Sequence, residues 1–171
     1  GEKSMSQTQL QSLTEFFRQN VPARAQQSFD SVIDDMQVVP AAKDYGQGQY
    51  RMAVIRYNAL LSWERFPYRL CAPQLLFALL EAWLDDHGNP VMDEVGITDA
   101  DPDWDVSVES EETATVVLTM PLLEELVVVE DEKGEIPWQG TRWRLVDPEI
   151  WTAQNGAVYG SDATGAPVGD E

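Results

Sequence analysis

The chain reads as an α+β domain: an antiparallel sheet of long strands with two main helices on one face and a flexible C-terminal tail. Three observations lead there. Ala53, Ile55, Tyr57, Ala59, Leu61 and Trp63 alternate with their neighbours over a long run, the period of a strand. Leu76, Leu79, Leu80 and Trp83 recur at the helical period between Pro73 and Gly88. From Trp104 onward, β-branched runs are separated by Pro and Gly turns. Long antiparallel strands with helices segregated to one face define the α+β class.

Taken in order, Ser6-Gln7-Thr8-Gln9 has the form of a capping box. Leu10, Leu13, Phe16 and Phe17 follow at helical spacing, so a first amphipathic helix is expected over about residues 6–20, ended by Pro22. Residues 23–30 fit a short helical turn or a loop. Val32-Ile33, Met36 and Val38-Val39 predict a first strand stopping at Pro40, and Asp44 to Gly48 a turn. The run Gln49 to Phe66 far exceeds the usual strand of about 5–6 residues. Such a strand either projects past the core or is broken by a bulge, and projection points towards assembly. Pro73 suits the start of the central helix, and Gly88 a left-handed position just past its end. Only Gln74, Glu81 and Asp85 make a polar stripe, so burial on more than one side is expected, with the first helix or another subunit as cover. Asn89 to Asp103 reads as an acidic surface loop. Strands are expected at Trp104–Val108, at Thr113–Met120 (stopped by Pro121) and at Leu126–Val129. Glu130 to Gly134 reads as a hairpin turn leading to Ile136-Pro137-Trp138, an edge or arm because Pro137 cannot donate to a ladder. A turn at Gln139-Gly140 precedes a last strand around Trp143 and Leu145. Residues 1–151 form one domain on this reading, and 152–171 a flexible tail poor in anchoring side chains.

At 171 residues the chain is long enough to bury a real core, and its 43% hydrophobic content fits a globular protein. No apolar run is long enough to span a bilayer, so no membrane partner is expected. The lone cysteine, Cys71, excludes an internal disulfide and sits among apolar residues as inert packing. The net charge of −19 is unevenly placed. Residues 1–80 hold 7 acids and 8 bases, a net of +1; residues 81–171 hold 23 acids and 3 bases, a net of −20. Such a surface repels nucleic acid, so specific nucleic-acid binding is not expected. It serves solubility, a basic partner, or a channel past which DNA slides without sticking.

The candidate chemistry is thin. Asp99, Asp101, Asp103 and Asp105 alternate like the start of a calcium loop, but the sixth and twelfth positions hold Trp104 and Ser110 where Gly and Glu are needed. Glu109, Glu111 and Glu112 offer carboxylates for acid–base work, yet they fall in a strand-to-strand turn without a pocket. His87 is the single histidine and no nucleophile-elbow pattern accompanies it. One Cys and one His argue against a zinc site, and Gly46-Gln47-Gly48 lacks the spacing of a phosphate loop. Neither catalysis nor a metal or other cofactor is expected. Arg51, Arg56, Arg65 and Arg69 are the only basic concentration. Strand alternation sends Arg51 and Arg56 to opposite faces, so ion pairing with the acidic half is expected rather than phosphate binding.

Several long, non-repetitive stretches resemble the tail completion protein R family of P2-like contractile-tailed phages and prophages. They are Trp63 to Arg69, Leu75 to Leu80, Ala82 to Asn89, Val39 to Asp44, Pro121-Leu122-Leu123 with Glu130 to Gly134, and Gly140 to Trp151. The likeness runs from about Leu10 to about Trp151. It implies a structural virion tail protein, made in the host bacterial cytoplasm, that acts late in tail assembly and carries no catalytic residues. It also looks like the tail terminator class, small α+β proteins that close as a hexameric ring. Self-association as a homohexamer, the tail tube protein and the head–tail connector protein are the partners this implies. On that basis Arg56, Trp63, Arg65, Tyr68, Trp138, Trp143 and Trp151 are candidate interface residues. Asp99, Asp101, Asp103, Asp105, Glu109, Glu111 and Glu112 are candidate lumen-facing carboxylates. Two rivals stay open on the residues alone: an acidic module or DNA mimic that blocks a basic partner, and a hydrolase with an unfamiliar carboxylate pair.

Overall fold

A computed structural model describes residues 7–88 and 90–146. The expected tail at 152–171 and Trp151 lie outside the described residues. The order is α1 (Gln9–Asn20), a 3₁₀ turn (Ala23–Ala25), β1 (Phe29–Gly46), β2 (Gln49–Phe66), α2 (Gln74–His87), α3 (Pro90–Glu94), β3 (Asp103–Val108), β4 (Ala114–Glu130), β5 (Ile136–Trp138) and β6 (Thr141–Leu145). All six strands join one antiparallel sheet, ordered β1-β2-β4-β6-β5, with β3 also on β4. The sheet curls into a half-barrel, as the twist of such long strands favours. This is the α+β class that the sequence predicts.

α1 and α2 pack on one face. Leu10, Leu13 and Phe17 from α1 and Leu76, Leu80 and Trp83 from α2 meet Tyr57, Ala59, Leu61 and Trp63 of β2 and Val116, Leu118 and Met120 of β4. Trp63 is the hub. It stacks on Phe29 at 4.8 Å and meets Phe17 edge-on at 4.9 Å. Trp104 lies 6.3 Å from it and 4.6 Å from Phe77 of α2. The indole of Trp83 donates to Ser12 Oγ at 3.1 Å, tying the two helices together. The outer side of α2 is not buried: Ala78, Glu81 and Ala82 are exposed, so the all-round burial expected of it reduces to one face. Small side chains make the helix look more apolar than its buried stripe is.

Four element boundaries differ from the sequence expectation, each for a local reason. The α1 cap is Thr8, not Ser6. Thr8 Oγ1 accepts from the Gln11 N–H at 3.1 Å and Gln11 Oε1 accepts from the Thr8 N–H at 3.0 Å, so the box sits two residues later. β1 runs through Pro40 to Gly46, because β1 is an edge strand in the described sheet and an edge tolerates a missing donor. β4 runs straight through Pro121, joining two expected strands into one of 17 residues. The Leu123 N–H goes to Gln9 Oε1 and the Val127 C=O takes the Val146 N–H, so odd positions of β4 aim their backbone away from β2. Pro121 belongs to that set and falls between the partners of β3 and β6, where no ladder bond is owed. The acidic connector holds the short helix α3 rather than loop alone. In addition, Gly88 ends α2 with φ −49°, so it is not in the left-handed region.

The two tight hairpins follow their turn residues. Gln47 and Gly48 have φ of 54° and 77°, and Gln139 and Gly140 have 53° and 78°, the positive pair that suits a strand twist. Pro137 does lie in the edge strand β5. However, β5 pairs with β6 rather than with β4, so Glu130 to Gly134 carries the chain past the place β6 later fills.

Candidate interface surface

Buried polar anchors set the surface up. At the start of α1, Glu124 Oε2 accepts from the Gln9 N–H at 2.7 Å and from the Tyr57 hydroxyl at 2.7 Å. The same hydroxyl accepts from the Leu10 N–H at 3.2 Å. A carboxylate against the first-turn N–H groups satisfies orphan donors and complements the helix dipole. Nothing in the run Pro121 to Leu126 singles out Glu124 from Glu125 beforehand.

Arg51 is the second anchor, only 2% exposed. Its guanidinium donates to Glu94 of α3 and to Glu125 of β4, both at 2.8 Å, and to the Ala41 carbonyl at 2.8 Å. Lys43 adds a contact to Glu94 at 3.5 Å, and the Tyr45 hydroxyl donates to Glu125. Both carboxylates lie in the acidic half, as ion pairing across the halves required. The hydrogen bond from Arg51 is the main reason the Glu94 carboxyl is held below its ordinary range. Burial and the Glu125 carboxylate push the Tyr45 hydroxyl up, and the Arg51 guanidinium is held more firmly protonated than usual. Arg56 reaches the Asp99 carbonyl at 3.5 Å. Arg51 and Arg56 therefore both meet the α2–β3 connector. The expectation of opposite faces fails because a bulge between Arg51 and Ala53 resets the alternation.

The expected interface residues separate. Trp63 is fully buried in the helix-covered core, and Trp143 is nearly so against Trp138, which removes both from the surface. Trp143 donates its N–H to the Trp138 carbonyl at 2.9 Å. Trp138 lies half-buried between Tyr50 and Trp143, at 4.9 and 5.0 Å. Tyr68, also half-buried, donates to the Ser110 carbonyl at 2.8 Å, and Arg69 donates to the Glu111 carbonyl. Arg65 is exposed beside Ser28 Oγ at 3.1 Å, held at φ 52° by a bulge between Trp63 and Phe66. Left-handed backbone at an arginine is a strained position that turns the side chain out of the strand's alternation.

The seven carboxylates from Asp99 to Glu112 are all exposed. Trp104 packs on the helix side, so alternation sends Asp103 and Asp105 to the opposite face of β3, where Ser107 Oγ donates to Asp105 at 3.2 Å. Glu109, Glu111 and Glu112 sit in the β3–β4 turn, and Thr115 donates to Glu109 at 2.7 Å. Among the described residues no group of His, Cys, Asp and Glu is gathered to hold a metal ion. Burial pushes the Cys71 thiol up, away from reactive thiolate. No helix of the described residues is long and apolar enough to cross a membrane.

The described residues thus form an α+β unit with an extended antiparallel sheet, ion-paired anchors and a run of exposed carboxylates. The P2 phage tail completion protein R family matches residues 7–148, and the chain belongs to that family. It is thus a phage tail component of a structural rather than enzymatic family. Over 144 residues it is 24% identical to an uncharacterized 19.2 kDa protein of Haemophilus phage HP1, a match covering 84% of this chain and 85% of that one. No solved structure matches the chain.

Proposed function

We propose that the protein closes the end of the phage tail tube as a ring, the homohexamer that the terminator class implies, and readies it for the head–tail connector.

 Membership of the tail completion family carries this reading. The lopsided charge supports it, because a tube end through which DNA passes is best lined with carboxylates that do not hold phosphate. On this reading Asp99, Asp101, Asp103 and Asp105 face the lumen. The tail tube protein and the connector meet the remaining surface, where Tyr68 and Trp138 are the aromatic candidates.

The test is the mass of the full chain by light scattering over a concentration series, with negative-stain images of the same sample and of tails to which it has been added. Six-fold rings, free or seated on tube ends, are the expected result. A chain that neither forms rings nor binds tube ends would sink the proposal.

A further inference from the structure

Among the described residues no strand pairs with the outer edge of β3, whose one partner is β4. Odd positions of β4 aim away from β2, so Asp103, Asp105 and Ser107 exchange the ladder bonds with β4. Trp104, Val106 and Val108 therefore turn their backbone groups outward. Val106 and Val108 also leave large apolar side chains in solvent, 41% and 64% exposed. An open edge flanked by apolar side chains is a pairing surface.

Charge decides what pairs there. From Val95 to Met120 the chain has seven acids and no base, and all seven carboxylates are exposed. A second acidic edge would be repelled. The fitting surface is on the opposite lateral side of the same molecule, where Arg24 and Arg65 are exposed and form no ion pair among the described residues. Phe29, Trp63, Val116 and Val106 lie level across four strands. Arg65 and Arg24, which flank the start of β1, are thus at the same end of the sheet as Glu111 and Glu112. About 14 Å, three strand spacings, separates the two sides within one copy.

We infer that copies of this chain associate head to tail, with the β3 edge and the Glu111–Glu112 turn of one copy against Arg24 and Arg65 of the next. Two different surfaces in contact make a heterologous interface, which closes into a ring when the rotation allows. This rests on the ring reading above and names its contact.

The experiment is sedimentation of the full chain in low salt, as wild type and as three variants. Arg24→Glu with Arg65→Glu, and separately Glu111→Arg with Glu112→Arg, are expected to weaken association at least ~10-fold, since like charges then face each other. Mixing the two variants restores it, because every junction is again complementary. Val106→Pro removes an outward donor without costing a bond to β4, and is expected to weaken association while the thermal midpoint stays close to wild type. Wild-type rings whose mass none of the variants changes would overturn this interface and leave the ring reading intact. A wild type that stays monomeric at every concentration would overturn both the interface and the free ring.

Discussion

The same three long strands are held in two different ways along their length. At the end covered by α1 and α2, β2 and β4 alternate cleanly, and Trp63, Phe17, Phe29, Leu61, Leu80 and Val116 make a closed apolar core. Beyond the first turn of α1 the strands run on past both long helices, and the short α3 reaches them at Arg51. There Val38 and Tyr45 are exposed, and the strands are held by Arg51 with its two carboxylates and by the small stack of Tyr50, Trp138 and Trp143. Apolar burial secures a strand where a second layer exists. Past the two long helices, polar anchors and aromatic pairs take over.

Substitutions can separate the two regions. The largest effect is expected from Trp63→Ala, which empties the hub of the covered end and should cost about 3–5 kcal/mol in denaturant unfolding. A loss below about 1 kcal/mol would mean that the aromatic cluster is not the keystone of that end. Gly134→Ala addresses the other end. A Cβ there would come within 2.0 Å of the Trp143 carbonyl oxygen, and backbone cannot yield easily. It should cost about 1–3 kcal/mol and speed amide exchange in β5 and β6 first, leaving α1 and α2 protected. Uniform loss of protection would show that the two ends unfold as one unit.

Arg51→Met should cost about 1–2 kcal/mol, because Glu94 and Glu125 are partly exposed and water reclaims part of what they lose. Its signature is faster exchange in α3 and the connector. The smallest expected effect is of pH. Glu94 is held below its ordinary range, so its contribution is present above the unfolded-state value and fades as pH falls through the lower folded-state value. The thermal midpoint of wild type should therefore drop more steeply on acidification below about 4.3 than that of Glu94→Gln. Parallel curves for the two proteins would show that the contact adds no stability.

Much of the fold was legible in local pattern. The period of Leu76, Leu80 and Trp83, the alternation through Ala53 to Trp63, and the turns at Gln47-Gly48 and Gln139-Gly140 each depend on residues close in sequence. So did the class of the protein, since the long matching stretches sit in one chain. The surface was less legible. Trp63 and Trp138 are the same residue type, and only packing makes one a core hub and the other a half-buried edge.

By itself, then, the sequence determined the two long helices, the positions of most strand residues, the tight turns, the uneven charge and the family. Only the tertiary structure decided the rest. Pro40 and Pro121 continue their strands because the donors they lack would point away from a ladder, which depends on neighbours far along the chain. Thr8 rather than Ser6 caps α1 where Glu124, 115 positions beyond Gln9, meets the helix start. Arg51 finds Glu94 and Glu125 because a bulge turns it towards them. Local periodicity records which way a side chain faces. It does not record what waits on that side, and hydrogen bonds, ion pairs and burial depend on that.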